Sequence, residues 1–279
     1  MLLRTIFLLA AAVGLAVCGV SGAFGSLAWL WVLPVSVGLC WLVLMALALL
    51  FLWAVAQRVD LSVPQAHDSR FYRVVVDLYV EALIGLMLMR IEAKGLENTP
   101  KDGRFLLVCN HLHLADPGVL LHCFRKSQLA FISKRENQDM FIIGKMMHKI
   151  MCQPLNREDD RQALKTILRC IQLLKEDEVS VAVFPEGYTS RDGLLHHFRS
   201  GVFKIAQKAQ VPIVVCTLRN TQNLFHNVVR LKSTPVELHL VGVIPAEDLA
   251  GRTTVDIGNQ VHQMMADDLG FGLVAEENT

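Results

Sequence analysis

The chain has 279 residues and a formal net charge of +1, so no overall field directs it to nucleic acid. Its hydrophobic content of 53% and mean hydropathy of +0.39 are high for a freely soluble enzyme. Seven cysteines, odd in number and scattered without a Cys-x-x-Cys pair, argue for reduced thiols and against a disulfide framework or zinc ribbon.

Most of the apolar excess sits at the N-terminus, where residues 5–57 contain no Asp, Glu, Lys, Arg or His. A spanning helix takes about 20 apolar residues, so this stretch has room for two. Glycines and serines at 21–26 mark a turn, which predicts helices over 4–22 and 29–57, the second bent at Pro34. Trp29, Trp31 and Trp53 fall where interfacial aromatics are expected, and Arg4 and Arg58 flank the pair. The positive-inside tendency then puts both ends, and the domain that follows, on the cytoplasmic side. A cleaved signal peptide also begins with a basic residue and an apolar run, but a second and longer run follows here at once. The expected organisation is a helical hairpin anchor over 1–58, a polar linker with Pro64 over 59–69, one α/β domain over 70–270 and a tail over 271–279.

Residues 71–89 read as a helix apolar nearly all round, with Arg73, Asp77 and Glu81 as its polar stripe. Such a helix is either an ordinary core helix or one lying at a membrane surface, with Arg70 and Arg73 near anionic headgroups. Beyond it, apolar runs at 105–109, 129–133, 179–184, 211–218 and 236–243 read as strands. They alternate with helices starting at Asp116-Pro117 and spanning 159–174, 202–209 and 255–268. Asp116 is expected at the cap of its helix, with Pro117 in the first turn. Alternation of this kind implies helices covering a mixed sheet. Between residues 125 and 175 there are 11 Lys/Arg against five Asp/Glu, a basic half suited to an anionic lipid or substrate.

Two turns carry the chemistry. His111 lies between the first strand and the next helix, at the carboxyl edge where α/β folds commonly place their sites. Asp116, five residues on, can orient one ring nitrogen and leave the other to take a proton. With no serine or cysteine nucleophile in the turn, the natural use is activation of a substrate hydroxyl. His111, His113 and Asp116 also resemble a metallohydrolase ligand run, but no second ligand cluster has suitable spacing. Residues 184–193 form a Pro-Glu-Gly turn with hydroxyls and Arg191, of a kind that suits a phosphate. Lys134 ends the second strand at the same edge.

Taken in order, Asn110-His111-x4-Asp116, Phe184-Pro185-Glu186-Gly187 and Val211-Pro212-Ile213 resemble three motifs of the glycerol-3-phosphate and 1-acyl-glycerol-3-phosphate acyltransferase family. Ser133-Lys134 with Gly144, and Asn156-Arg157, resemble the remaining block, and Phe198-Arg199-Ser200-Gly201 resembles the family's Phe-Lys-x-Gly segment. The likeness covers roughly residues 70–245. It implies a membrane-bound O-acyltransferase that moves a fatty acyl group from acyl-CoA or acyl carrier protein to the free hydroxyl of a lysophosphatidic acid. It further implies His111 as base, Asp116 as its orienter, and Lys134, Glu186, Gly187, Ser190 and Arg191 around the substrate, with no cofactor and no metal. The family commonly continues its Pro-Glu-Gly turn with Thr-Arg-Ser, whereas this chain has Tyr188-Thr189-Ser190. Position 189 therefore lacks the usual phosphate arginine, and Arg191 is the expected substitute. The alternatives are another lysophospholipid or glycerol 3-phosphate as acceptor, a metal-dependent hydrolase, or a non-catalytic lipid-binding relative.

Overall fold

Two long apolar helices, α1 (Leu2–Val20) and α2 (Trp29–Gln57), pack against each other at the N-terminus of the computed structural model, which describes residues 1–156, 158–190 and 192–275. Both are long and apolar enough to cross a membrane, and α2 runs through Pro34 without interruption. Their surfaces differ from those of core helices: Leu8, Leu15, Leu39, Leu47 and Leu50 are each more than half exposed. A side chain of that kind normally seeks burial, and here the hairpin leaves an apolar surface that the rest of the chain does not cover.

The segment after the hairpin is tied to the rest of the chain. Glu178 accepts the Asp68 N–H, and the Ser69 N–H reaches Lys149 O at 3.3 Å. Helix α3 (Arg70–Leu86) follows, and its polar stripe is fully used. Arg73 is 7% exposed, paired with Asp68 at 2.6 Å and donating to Leu129 O and Ile150 O. Asp77 holds Arg125 at 2.8 Å, and Glu81 takes the N-terminal ammonium of Met1. Of the two readings the sequence left open for this helix, Arg73 follows the core one: the residue is an internal brace.

The seven-stranded sheet has the order β1-β7-β6-β2-β5-β3-β4. Its strands are β1 (Met89–Lys94), β2 (Leu106–Cys109), β3 (Leu129–Lys134), β4 (Gln153–Leu155), β5 (Ser180–Val183), β6 (Ile213–Arg219) and β7 (Thr234–Ile244). β2, β5, β3, β4 and β6 run parallel, while β7 lies antiparallel to β6 and parallel to β1. The sheet is thus mixed, as expected. β2 is buried throughout, with Leu107 and Cys109 turned to one core and Leu106 and Val108 to the other, which is why it reads as an unbroken apolar run.

On one face lie α3, α4 (Asp116–Cys123), α5 (Ile143–Lys149), α8 (Leu224–Val229) and the end of α2. On the other lie α6 (Asp160–Lys175), α7 (Lys204–Ala209) and α9 (Thr254–Leu269). Asp159 caps α6, accepting the N–H groups of Arg161 and Gln162. Asp116 does not cap α4 as anticipated. It is the first helical residue, after Ala115, and its carboxylate is turned back into the preceding turn. Of the expected tail, residues 271–275 run beside Leu195, which pairs with Val274 and exchanges backbone hydrogen bonds with Leu273 and Ala275.

Because β2, β3, β5 and β6 are parallel, their carboxyl ends at Cys109, Lys134, Val183 and Arg219 share one edge. Val211-Pro212-Ile213 enters β6 from the opposite edge, where Pro212 O accepts the Leu106 N–H at 3.0 Å. A cleft of about 650 Å³ opens there, between Asp102, Arg104, Lys175, Asp177 and Gln210. It lies away from every candidate side chain.

Candidate active site

The turn after β2 is fixed at its root by Asn110, which is 2% exposed. Its amide donates to Leu218 O at 2.9 Å and accepts the Leu218 N–H at 2.7 Å, adding a rung between β2 and β6. His111 follows immediately. Its ring stacks on Phe184, centroids 4.1 Å apart and planes 17° apart, and Phe184 in turn stacks on Phe131.

Asp116 is fully buried, and its Oδ2 receives three groups: His111 Nδ1 at 2.9 Å, Leu112 N–H at 2.6 Å and His113 N–H at 2.8 Å. An oxygen already accepting two backbone N–H groups is an acceptor for the ring as well. His111 therefore carries its proton on Nδ1, leaving the lone pair on Nε2, which has no partner among the described residues. That is the state a general base requires.

His113 is arranged differently. Its Nδ1 accepts the Ala115 N–H at 3.2 Å, its Nε2 is buried without a partner, and its ring meets Phe225 edge to face. Burial lowers its pKa, the nearby Asp116 charge only partly opposing this. His113 and His111 thus engage separate surroundings, and the ligand trio considered from the sequence does not converge. No group of three or more His, Cys, Asp or Glu side chains suited to a metal occurs among the described residues.

The second turn braces the first. Glu186 is 1% exposed; its Oε1 accepts the His111 N–H at 3.0 Å and its Oε2 the His196 N–H at 3.1 Å. Burial pushes its pKa up to about 7, against the pull of those two N–H groups and of the neighbouring histidines. Ser190 N–H donates to His111 O at 2.7 Å, so both peptide faces around the candidate base are held. Ser190 takes a different part from the one expected. It is fully buried, and its hydroxyl lies 2.7 Å from Asp192 Oδ1 and 2.8 Å from Leu194 O, engaged within the turn. Asp192 in turn is lowered to about 2, through Ser190, the Leu194 N–H and His196.

Gly187 sits at φ 84°, a left-handed position that side chains rarely adopt, and its N–H is engaged with Phe184 O. A Cβ there would meet Arg199 Nε at 2.9 Å, because the Arg199 side chain lies directly against this glycine. The Arg199 N–H donates to Pro185 O at 2.8 Å, yet its exposed guanidinium makes no ion pair with the described residues. Lys134 stands at the end of β3, exposed and paired with Glu136 at 2.8 Å. Arg191, expected to replace the missing arginine of position 189, lies outside the described residues, as does Arg157. Gly144 of the second block has a packing reason: a Cβ would run into the backbone oxygen of Gln138.

The structure thus brings His111, Asp116, Glu186, Gly187 and Ser190 into one unit, with Lys134 on the same edge. Asn110, His196 and Arg199 are the additions. Asn110 was visible only as the first residue of its motif, its hold on Leu218 spanning 108 residues, and the contact of His196 with Glu186 left no cue in the spacing. Arg199 was visible only as part of a segment.

Residues 90–219 match the family model described as Acyltransferase. The chloroplastic 1-acyl-sn-glycerol-3-phosphate acyltransferases of Brassica napus and Arabidopsis thaliana are each 35% identical over 156 residues, 56% of this chain. The chain spans less than half the length of those two relatives, 44% and 43%. Among solved structures, the 1-acyl-sn-glycerophosphate acyltransferase PlsC of Thermotoga maritima superposes with a TM-score of 0.60 at 21% identity, covering 78% of this chain and 86% of that one, and so shares the fold. All of the braced turn from Asn110 to Arg199 falls inside the matched stretch, so the candidate site lies in the part of the chain that is similar to the acyltransferase family.

Proposed function

We propose that this protein is a membrane-bound enzyme that acylates the free hydroxyl of 1-acyl-sn-glycerol 3-phosphate, giving phosphatidic acid. The observation that carries the reading is the His111 ring, held through Nδ1 by a buried carboxylate with Nε2 left open. In the reaction, His111 Nε2 takes the hydroxyl proton as the oxygen attacks the thioester carbonyl of acyl-CoA or acyl carrier protein. The tetrahedral oxyanion collapses, the new ester forms, and the departing thiolate takes the proton back from His111. No covalent bond to the protein is needed. Asp116 keeps the ring in the productive tautomer and stabilises the transient imidazolium.

Glu186 and Ser190 fix the turn rather than touch substrate, since both are buried and their polar atoms are engaged. Positive charge for the acceptor phosphate comes from Arg199 beside Gly187 and from Lys134, with Arg191 as the further candidate from sequence. Residues 1–58 act as the anchor, 59–69 as the linker and 70–270 as the catalytic domain, on the cytoplasmic side. The relatives named as 1-acyl-sn-glycerol-3-phosphate acyltransferases favour this acceptor.

The test is acyl transfer by the purified full chain, with both donors, to lysophosphatidic acid, lysophosphatidylcholine and glycerol 3-phosphate. Wild type is expected to prefer lysophosphatidic acid, and His111→Ala to lose about 10²–10⁴-fold in kcat while keeping its circular dichroism. Arg199→Ala is expected to raise the KM for lysophosphatidic acid about tenfold, the loss of about 1.4 kcal/mol of phosphate binding. Wild-type rates in His111→Ala would sink the mechanism, and a preference for another acceptor would move the substrate.

A further inference from the structure

Between β6 and β7 the chain passes through residues 220–233, which contain no Asp or Glu. This stretch includes α8, which is fastened by one fully buried side chain, Leu224. Val228 is partly buried, while the other large apolar residues of the stretch are largely exposed: Phe225 is 59% exposed, Val229 83% and Leu231 86%. Leu231 sits at φ 53°, the left-handed position that closes α8, where its N–H reaches Val228 O and the Lys232 N–H reaches Asn227 O. Arg230 and Lys232 stand exposed between these apolar groups.

The position of this patch indicates what covers it. On one side the Phe225 ring meets the His113 ring of the candidate catalytic turn, centroids 4.7 Å apart, and Leu114, 79% exposed, carries the apolar surface on. On the other side Asn227 Nδ2 donates to Thr234 Oγ1, and Thr234 N–H donates to Leu88 O, each at 3.0 Å. Leu88 lies two residues beyond the end of α3, whose Gly85 abuts Leu3 at the start of α1. The stretch therefore bridges the foot of the apolar hairpin and the mouth of the site, on the sheet face that also receives the end of α2.

We propose that Phe225, Val229 and Leu231 enter the interfacial layer of the bilayer that holds the hairpin, with Arg230 and Lys232 against anionic headgroups. Apolar side chains interspersed with cations and free of acids fit such a surface. The contact seats the mouth of the site on the bilayer, so that a lysolipid acceptor reaches His111 without crossing water. This rests on the membrane anchor and lipid acceptor of the proposed function.

The experiment uses the full chain in vesicles of phosphatidylcholine and phosphatidylglycerol. Val229→Cys is labelled with the fluorophore NBD, and the signal of the identically treated unsubstituted chain is subtracted. Glu97→Cys, exposed beyond the end of β1 at the opposite edge, serves as the aqueous control. Lipids carrying a nitroxide on the acyl chain are expected to quench the label at 229 and not at 97. The double variant Val229→Ser/Leu231→Ser is expected to lose about tenfold in transfer to long-chain lysophosphatidic acid in vesicles, equivalent to about 1.4 kcal/mol. Its rate on a short-chain, monomeric acceptor stays at the wild-type value. A label at 229 as unquenched as that at 97 overturns the proposal, as does quenching abolished by self-association through this face. Failure of the underlying reading is separate: wild type would then acylate no lysophosphatidic acid in either form.

Discussion

Two aspartates in this chain, Asp116 and Asp268, each hold a histidine through Nδ1, and the surroundings of the two pairs differ. Asp116 receives His111 together with two backbone N–H groups, those of Leu112 and His113. Asp268 receives His239 at 2.5 Å and Thr217 Oγ1 at 2.5 Å, with Arg219 3.6 Å away. Burial raises the Asp268 pKa, and these partners outweigh it, leaving the group lowered. Its charge is thus already balanced by a guanidinium. Asp116 has no Lys or Arg ion pair among the described residues, and its Oδ1 is buried without a partner. The side chain that faces its charge is His111, through Nδ1. Under the proposed mechanism that ring, and no guanidinium, stands opposite the carboxylate when the hydroxyl proton is taken.

The largest test of this contrast is Asp116→Asn, which keeps the shape and removes the charge. kcat is expected to fall about 10²–10⁴-fold with little change in acceptor KM, as when a triad loses its orienter. Rates within a small factor of wild type would make the two pairs equivalent.

Glu186→Gln probes the brace behind His111. A carboxylate accepts both N–H groups, whereas an amide accepts one and presents its NH2 to the other. Losing a hydrogen bond to a charged group, about 1.5–3 kcal/mol, predicts a fall of roughly ten- to hundredfold in kcat. The pH dependence has a definite sign. Below the ordinary glutamate value of 4.5 the residue is protonated in both folded and unfolded chains. Between there and about 7 the folded chain retains a proton that the unfolded chain releases, so stability declines as pH rises and levels off above. Chemical denaturation across that window is expected to show a shallower decline in Glu186→Gln; an unchanged slope would place the decline elsewhere.

The smallest expected effect is at the distal pair. His239→Gln is expected to cost about 1 kcal/mol of stability by losing one hydrogen bond, and to leave kcat unchanged. A large loss of turnover there would erase the distinction.

Much of this was legible in the sequence because it is local. The hairpin shows as a charge-free run, β2 and β6 as apolar strands buried on both faces, and His111 with Asp116 as a five-residue spacing inside one turn. The missed elements lack such a period. β1 is an edge strand with mostly exposed side chains, β4 has three residues including Pro154, and α8 has six, too few for a helical stripe. The brace from Glu186 to His111 joins residues 75 apart, and the hold of Asn110 on Leu218 joins residues 108 apart. Those contacts arise only from the strand order. The polar stripe of α3 was seen, but whether Arg73 met lipid or protein depended on Asp68 and Leu129 lying opposite it.

The neighbouring places of β2 and β5 in the sheet have one more consequence. The chain leaves the site after Asp116 and returns to it on the adjacent strand, so the excursion between begins and ends within the same few ångströms. The frame that aligns His111 with Glu186 is made by β2, β5 and β6, with Asn110 as its cross-tie. Changes of length at the outer connections of that excursion, far from its two roots, leave the frame in register. The excursion still meets the candidate turn at two points, Phe131 stacked on Phe184 and Lys134 at the same edge, so changes there reach the turn while changes at the outer connections do not.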